Sequence, residues 1–204
     1  MTFGQRLMRL ITAAVVRRPR LWSLGRRVVV RNFDRLAPQW DELRVDDTRL
    51  RPIAAALAAV PGAPGRVLDL GTGSGGVARL AATRWPRAEV TGADVSPKMV
   101  DEARRLARSD RERYEVADAS ALPFEDGAFD LVALNNMIPF FDEMVRVLAP
   151  GGHVALAYSL GDRTPIYVPL RRVREELERR GLEVLLEQAT GPGRSLLARR
   201  PERA

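Results

Sequence analysis

Three carboxylates in the middle of this chain are spaced so that one bound molecule could meet all of them. Asp69, Asp94 and Asp118 each end or directly follow a short apolar run that predicts a strand. A carboxylate accepts hydrogen bonds from hydroxyl, amino and ammonium groups, so this trio suits a ligand rich in such donors. Because the carboxyl ends of parallel strands meet at one edge of a sheet, we expect all three at the same rim.

A glycine-rich segment follows the first of these strands. Between Asp69 and a helix predicted from Val77, the chain runs Leu-Gly-Thr-Gly-Ser-Gly-Gly. Glycines let the backbone turn tightly and let a ligand approach the main chain closely. The spacing of Gly71, Gly73 and Gly76 also fits the fingerprint of nicotinamide dinucleotide sites, and a purely structural turn is a further alternative. The loop alone therefore indicates a nucleotide-like ligand without naming it.

The other two carboxylates narrow this choice. Asp94 lies about 20 residues beyond the glycines, where an acidic side chain can accept from ribose hydroxyls. Its alternative role as a helix cap is weaker, because Ser96 already suits that position. Asp118 can accept from an adenine amino group, while the backbone N–H of Ala119 donates to a ring nitrogen. Together these positions favour an adenosyl ligand.

Alternating strands and helices predict the frame that positions this rim. Strands are predicted at 66–70, 89–94, 113–117, 129–135, 153–159, 183–188 and 194–198. Helices are predicted at about 47–60, 77–85, 97–109, 140–148 and 168–180. Gly191-Pro192-Gly193 separates the last two strands and indicates a hairpin. The predicted fold is a three-layer α/β/α, Rossmann-like, doubly wound sheet of seven mostly parallel strands with an antiparallel C-terminal hairpin.

Four stretches resemble the class I S-adenosylmethionine-dependent methyltransferases, in particular the small-molecule branch of the ubiquinone and menaquinone C-methyltransferases. They are Val67–Gly75, Asp94–Met99 with Ala103, Asp118–Ala119 with Leu122–Phe124, and Val147–Gly152. Their order and spacing are more specific than any one stretch, and together they cover about residues 65–160. The C-terminal hairpin also fits that family and not the nicotinamide enzymes.

The resemblance implies S-adenosylmethionine as cofactor and methyl transfer to a small acceptor, lipophilic or aromatic and quinone-like. It also implies a role for each matching residue. Gly71 and Gly73 line the methionine part, Asp69 stands near its amino group, Asp94 holds the ribose, Val95 and Met99 contact the adenine faces, and Asp118 with Ala119 reads the adenine edge. We add Asn135, at the end of strand four, to this cofactor set.

The acceptor side is less specific. Methyl transfer from a sulfonium is an in-line displacement, so positioning supplies most of the rate and a base is needed only for some acceptors. We therefore assign no catalytic residue and no metal ligand. Asn136 and Tyr158, beside strands four and five, and Trp40 are candidate acceptor contacts. The resemblance implies that the segment around Phe33 to Trp40 folds over the cofactor as a lid. His153, the only histidine, is expected to be structural.

The basic charge of the chain is concentrated at its start. Eight arginines precede the first acidic residue, Asp34, while the rest of the chain is close to neutral. We expect residues 1–46 to form a basic amphipathic helical segment and lid, with residues 1–32 peripheral to a methyltransferase domain at 47–204. A basic amphipathic helix suits a membrane surface, so peripheral membrane contact is one hypothesis.

Composition and length exclude several classes. The 204 residues, 46% hydrophobic and 29% charged, are typical of one globular domain. The absence of cysteine excludes disulfides and thiolate metal sites. No apolar stretch approaches the roughly 20 residues of a membrane span, so we expect a cytoplasmic, at most membrane-peripheral protein. Two alternatives stay open: a non-catalytic adenosyl-binding module attached to membrane or nucleic acid by its N-terminus, and a nucleic-acid methyltransferase. Nucleic acid is the less favoured partner, and the sequence does not predict the oligomeric state.

Overall fold

Seven strands form one sheet in the computed structural model, which describes residues 3–37 and 47–202. Numbered along the chain, they are β1 (Arg66–Leu70), β2 (Glu89–Asp94), β3 (Glu112–Val116), β4 (Phe129–Asn135), β5 (Leu148–Tyr158), β6 (Glu183–Thr190) and β7 (Gly193–Arg199). Their order across the sheet is β3-β2-β1-β4-β5-β7-β6. The first five strands are parallel, and β7 is antiparallel to β5 and β6. The predicted sheet and its C-terminal hairpin are confirmed.

The described residues also contain seven α-helices. They are α1 (Phe3–Arg17), α2 (Trp22–Leu36), α3 (Arg51–Ala58), α4 (Gly76–Arg84), α5 (Pro97–Arg105), α6 (Phe141–Val147) and α7 (Leu170–Glu178). Short 3-10 turns occupy Pro19–Leu21, Asp47–Arg49 and Gly161–Arg163. Pro19 opens the turn that separates α1 from α2, as the sequence predicts.

Two hydrophobic clusters cover the two faces of the sheet. Side chains alternate along each strand, so Val67 belongs to one cluster and its neighbour Leu68 to the other. Helices α3, α4 and α5 pack on the face that carries Val67. Helices α6 and α7 pack on the face that carries Leu68. This layering confirms the predicted α/β/α architecture and leaves the carboxyl ends of the central strands free to form a site.

The N-terminal helical pair, α1 and α2, adds to the second of these layers. Val15, Trp22 and Val29 are buried in the same cluster as Leu70 and Phe140. The expectation that residues 1–32 are peripheral to the core is therefore wrong. The physical reason is the apolar stripe on each helix, which becomes buried once the sheet offers a matching surface. The division of the chain between residues 46 and 47 remains a prediction.

The largest boundary difference concerns β5, which begins at Leu148 and not at His153. Phe129 pairs with Leu148 while Leu131 pairs with His153, so the residues between Leu148 and His153 form an irregularity inside one strand. Gly151, with φ of +78°, supplies the left-handed turn that this detour needs. The excursion lies at the amino end of the strand, away from the rim that carries the predicted site.

Candidate functional site

The glycine loop leaves β1 with its backbone tied to the end of β2. The backbone N–H groups of Gly71 and Thr72 donate to the carbonyl oxygen of Ala93, at 2.8 and 3.0 Å. Gly71 has φ of +74°, and a Cβ atom there would lie 2.6 Å from the sulfur of Met137. Only glycine satisfies both the turn and the close approach. The first strand-to-helix connection is thereby held open along its backbone.

Asp69 lies beneath this loop and holds it against α4. Its Oδ2 accepts from the Thr72 hydroxyl at 2.6 Å and from the Ala78 N–H, in the first turn of α4, at 2.9 Å. Burial raises the pKa of Asp69 to about 7. Its Oδ1 has no hydrogen-bond partner among the described residues. Asp69 does not line the cavity described below, so its contacts are those of a loop-supporting residue.

Asp94 connects the loop to the end of β2 and remains open to a ligand. Its Oδ2 accepts from the Gly73 N–H and its Oδ1 from the Ser96 N–H, both at 2.9 Å. Burial raises the pKa of Asp94, and the nearby carboxylate of Asp34 adds to this shift. The Val95 N–H also faces this carboxylate, and because a carboxylate has about four acceptor positions, about one remains for a hydroxyl of a ribose.

A cavity of about 1000 Å³ opens at the carboxyl ends of the central strands. It is lined by most of the predicted residues: Gly71, Gly73, Asp94, Val95, Ala119, Asn135 and Asn136. Binding pockets for small molecules span roughly 300–1,000 Å³, so this one has room for an adenosyl ligand and a second small molecule together.

The N-terminal helical pair forms a second wall that the sequence analysis did not assign. Leu7, Met8, Ile11, Trp22 and Phe33 line the cavity from α1 and α2. The spacing of Leu7, Ile11 and Val15 by four residues marks one face of a helix and is the signal by which this wall could have been found. Of the predicted lid, Phe33 is in place, whereas Trp40 lies outside the described residues.

Three further predicted residues do not line the cavity. Met99 is fully buried, its backbone N–H donates to Ser96 Oγ at 3.2 Å, and its side chain does not reach the cavity in which the adenine is expected. Tyr158 is also fully buried, packs edge to face on Tyr167, and cannot orient an acceptor. Burial raises the pKa of Tyr158, which makes it a poor base as well. Asp118 is the third, and its carboxylate contacts α2.

Asp118 accepts hydrogen bonds from two residues of α2. Trp22 Nε1 donates to its Oδ1 at 2.9 Å, and the Arg26 guanidinium donates to its Oδ2 at 2.8 Å. Ser120 donates to Oδ1 through both its N–H and its hydroxyl. Although burial alone raises the pKa of Asp118, the bonds from Arg26, Ser120 and Trp22 hold it below its ordinary value. The residue is therefore a charged anchor for the N-terminal helices.

Two asparagines, Asn135 and Asn136, lie at the carboxyl end of β4, beside the end of β5. Asn136 has φ of +57°, and its Oδ1 accepts from Ser159 N and Oγ at 2.8 and 3.1 Å. Its backbone N–H donates to the carbonyl oxygen of Ala157 at 2.9 Å. Asn135 lines the cavity with an Oδ1 atom that has no hydrogen-bond partner among the described residues. An unpaired buried acceptor beside the glycine loop suits a donor such as an ammonium group.

Outside this rim, the described residues include no metal site and no membrane-spanning helix, and their one histidine lies far from the cavity. They contain no group of three or more His, Asp or Glu side chains that could hold a metal ion. His153 pairs with Leu131 and Arg199 in the sheet, near the amino end of the parallel region, and both burial and Arg199 lower its pKa. No helix in the described ranges is long and apolar enough to cross a membrane.

S-adenosylmethionine fits the residues that are present. The glycine cradle at Gly71 would be filled by any Cβ, Asp94 keeps an acceptor position, and Asn135 offers a buried amide oxygen with no partner among the described residues. These groups match the donors of a ribose and of an amino acid.

Comparison with known proteins agrees with this fit. Residues 67–152 match the family described as "Methyltransferase domain". The chain is 43% identical over 138 residues to demethylmenaquinone methyltransferase of Thermus thermophilus, covering 61% of this chain and 62% of that protein. It is 37% identical over 144 residues to malonyl-[acyl-carrier protein] O-methyltransferase of Halorhodospira halophila, covering 66% of this chain and 49% of that protein. The chain thus spans about half to three-fifths of the length of these relatives.

The fold agrees with solved structures. An S-adenosylmethionine dependent methyltransferase from Mesorhizobium loti superposes with a TM-score of 0.60 at 22% identity, covering 72% of this chain and 96% of that one. At this identity the likeness shows the fold alone. Residues 67–152 thus match the family of the methyltransferase domain, and the chain is similar in sequence to demethylmenaquinone methyltransferase and in fold to a solved S-adenosylmethionine dependent methyltransferase.

Proposed function

We propose that the protein transfers a methyl group from S-adenosylmethionine to a small, lipophilic or aromatic, quinone-like acceptor. One observation carries the proposal: a single cavity joins the glycine loop and Asp94 to an apolar wall contributed by α1 and α2. The polar end suits the cofactor and the apolar wall suits an acceptor. Because donor and acceptor must meet in line for a displacement, a shared cavity is the arrangement that the reaction requires.

The residues of the chain contribute position more than acid–base chemistry. The bound cofactor supplies a methyl group already activated on a sulfonium. Gly71 and Asp94 hold the donor, and Asn135, Asn136 and Ser159 provide a polar floor at the ends of β4 and β5. The cavity lining includes no histidine, and Tyr158 is buried away from it. We propose that catalysis rests on alignment and on exclusion of water from the closed site.

The apolar wall supports a lipophilic acceptor. Leu7, Met8 and Ile11 from α1 lie on the same cavity as Ile138 and Ile166 from the core. Apolar lining with a few placed polar groups is typical of sites for apolar small molecules. The relatives act, by their names, on a demethylated menaquinone and on a malonyl group carried by a protein. The first of these acceptors matches the wall better, because a malonyl group is itself polar.

We also propose that the N-terminal helical pair rests on an anionic membrane surface. Among the described residues, most large hydrophobic side chains that remain exposed lie on this pair. They are Leu7, Leu10, Leu21, Leu24 and Val28, with Leu10, Leu24 and Val28 exposed by 70, 80 and 69%. Exposed arginines, including Arg17, Arg20 and Arg27, lie among them. Apolar side chains and cations together match the interface of an anionic bilayer.

Calorimetry with S-adenosylhomocysteine and NAD tests the cofactor. We expect binding of the adenosyl ligand and none of NAD. Asp94→Ala should weaken binding by roughly 1–3 kcal/mol, because the ribose hydroxyls lose a charged acceptor. Asp101→Ala, which removes an exposed acid from α5, is the matched control and should leave binding unchanged. NAD binding without adenosyl binding would overturn the proposal.

Vesicle flotation tests the membrane contact. Full-length protein should float with anionic vesicles at low salt and be released at high salt, because salt screens the surface potential. Leu24→Ser should reduce flotation, whereas Leu185→Ser, at an exposed position on β6, should not. Equal flotation of both variants and the parent would reject the contact. Binding to duplex DNA or RNA with no vesicle binding would favour the nucleic-acid alternative.

A further inference from the structure

We propose that Arg31 and Arg35 of α2 bind an anionic group of the acceptor, a carboxylate or a phosphate, at the mouth of the cavity. The inference rests on the proposed methyl transfer and deepens it, because it gives the acceptor a second chemical feature. The acceptor then has an apolar body, which lies in the cavity, and one negatively charged group, which stays at the mouth.

The first argument is the charge of the cavity lining. Four arginines of the described chain line the cavity: Arg31, Arg35, Arg49 and Arg79. Within the same lining, Asp94 is the one carboxylate, and three backbone N–H groups already face it. The described lining therefore carries an excess of positive charge, and such a site favours a negatively charged ligand.

The second argument is that the two arginines of α2 keep their donors for a ligand. In the described part of the chain, Arg31 and Arg35 form no hydrogen bond or ion pair. Arg26, on the same helix, is instead paired with Asp118 at 2.8 Å. A guanidinium without a partner presents a planar fork of N–H donors, which matches the oxygens of a carboxylate or a phosphate.

The third argument is where these side chains lie relative to the apolar wall. Arg31 and Arg35 are four residues apart in a helix, so they are neighbours on its surface. Both are exposed and both line the cavity, which places them at its mouth. Val28, one turn earlier, is 69% exposed and lines the cavity as well. Cations at the mouth and aliphatic side chains further along the lining suit a ligand with one anionic end.

The carboxylate of the cofactor is a competing anion, and Arg49 is the arginine beside the glycine loop. Its neighbour Leu50 packs on that loop, since a Cβ atom on Gly76 would lie 3.7 Å from both δ carbons of Leu50. An experiment on Arg31 and Arg35 must therefore be made with the cofactor site already filled, so that the anion under test belongs to the second ligand.

Calorimetry under that condition tests the proposal. With S-adenosylhomocysteine at saturation, the parent is titrated with octyl phosphate below its micelle concentration, with octanol and with inorganic phosphate. Octyl phosphate should bind at least about tenfold more tightly than either of the others, because it alone combines an anion with an apolar chain. This preference should decrease as salt is added, since salt screens exposed charges.

Two double variants of equal charge locate the site. Arg31→Gln/Arg35→Gln should reduce the preference for octyl phosphate over octanol to within about twofold, with the affinity for S-adenosylhomocysteine unchanged. Arg20→Gln/Arg27→Gln is the matched control, because it removes the same charge from exposed positions of the N-terminal segment that do not line the cavity. The control should keep the preference of the parent. A difference between the variants therefore separates a defined site from the general field of the basic segment.

Several results overturn the proposal. One is an equal preference in the two double variants, and another is a parent that binds octyl phosphate no more tightly than octanol or inorganic phosphate. A lipid head group is the other source of a phosphate. If Arg31→Gln/Arg35→Gln loses vesicle flotation but keeps its affinity for octyl phosphate, the two arginines belong to the membrane surface and the proposal is wrong. A parent that does not bind S-adenosylhomocysteine contradicts the proposed function itself, and the first titration tells that failure apart from the others.

Discussion

The glycine loop and the N-terminal helical pair line the same cavity but are built in contrasting ways. The loop is held by short, mostly backbone hydrogen bonds to its own sheet, such as those from Gly71 and Thr72 to Ala93. The pair is held by hydrogen bonds of three side chains, those of Trp22, Arg26 and Asp34. The partners of these bonds lie 62 to 96 positions away in the chain. The loop with its sheet is the rigid part of the site and the helical pair is the adaptable part, and under the proposed function they hold the cofactor and the acceptor, respectively.

The two regions also differ in how much apolar surface they expose to solvent. The loop residues Thr72 and Ser74 are buried, whereas α1 and α2 present Leu10 and Leu24 to solvent. The hydrogen bonds within the protein account for the position of the buried loop. The membrane proposal takes this exposed apolar surface as one that another surface covers in use.

The largest effect expected concerns the rigid part. Leu131 is completely buried in β4 between β1 and β5. Leu131→Ala should lower the free energy of unfolding by roughly 2–5 kcal/mol, because it removes buried methyl groups and leaves a cavity. Urea titration followed by far-UV circular dichroism measures this. A loss below about 1 kcal/mol would mean that the sheet is not the stable half of the molecule.

The second largest effect is a pH dependence of the free energy of unfolding, which we expect to come from the loop and sheet and not from the helical pair. The pKa of Asp69 is about 7 in the folded protein against an ordinary 3.8, so the folded state keeps a proton that the unfolded state has lost. The contribution of Asp69 to stability therefore falls as pH rises from about 4 to about 7, and is constant above that. Relative to the parent, Asp69→Asn should gain up to roughly 4 kcal/mol of unfolding free energy across this range.

Urea titrations of both proteins at pH 4.5, 6 and 8 measure this difference, and titrating groups that do not interact with Asp69 cancel in the comparison. A difference that stays constant with pH would show that Asp69 is already ionised at pH 5 in the fold. Because no residue of α1 or α2 contacts Asp69 directly in the hydrogen bonds described above, the effect belongs to the loop and sheet.

A smaller effect, on binding alone, should come from the glycine cradle. Gly71→Ala should weaken S-adenosylhomocysteine binding at least about tenfold, because the new methyl group meets Met137 and the position requires positive φ. Gly62→Ala is the matched control, since Gly62 has a similar φ of +71° but open space around it. Calorimetry should find the control unchanged. Equal losses in both variants would assign the effect to backbone strain and not to the cradle.

The smallest effect is expected at the exposed face of the helical pair. Leu24→Ser should change the free energy of unfolding by no more than about 0.5 kcal/mol, because the side chain is 80% exposed. The same variant should show reduced vesicle flotation. Leu24 would then affect membrane contact without affecting stability. A large loss of stability would show that Leu24 packs against protein and would remove it from the proposed membrane surface.

Much of the rigid part could be predicted from sequence because its signals are local. The bounds of β1, β2 and β4 agree with the prediction, since each is a short, mostly apolar segment followed by a turn or loop signal in the sequence. Gly71, Gly73 and Asp94 were found by their spacing, and they line the cavity as predicted. In each case the residue and its partners lie within one strand-loop-helix unit or at the ends of adjacent parallel strands.

The remaining parts depend on which face of an element is buried, and spacing alone leaves that open. The resemblance to the family implied that Met99 contacts adenine, but its side chain is fully buried and does not line the cavity. Tyr158 was wrongly expected at the acceptor for a simpler reason: it lies two residues after Leu156 in the same strand, so the period of two already places both side chains on one buried face. Trp22 and Asp118 are 96 residues apart, and no local pattern announces their contact.

Asn136 has a consequence for how this protein can change over generations. Its amide fastens Ser159 to the end of β4, and its left-handed backbone admits little beyond asparagine, aspartate and glycine. Under the proposed function, the floor of the site is thus fixed by one residue, whereas the wall from α1 is a set of interchangeable aliphatic side chains. A descendant could exchange Leu7, Met8 or Ile11 for larger or smaller neighbours and accept a different molecule, with its methyl donor still in the same place.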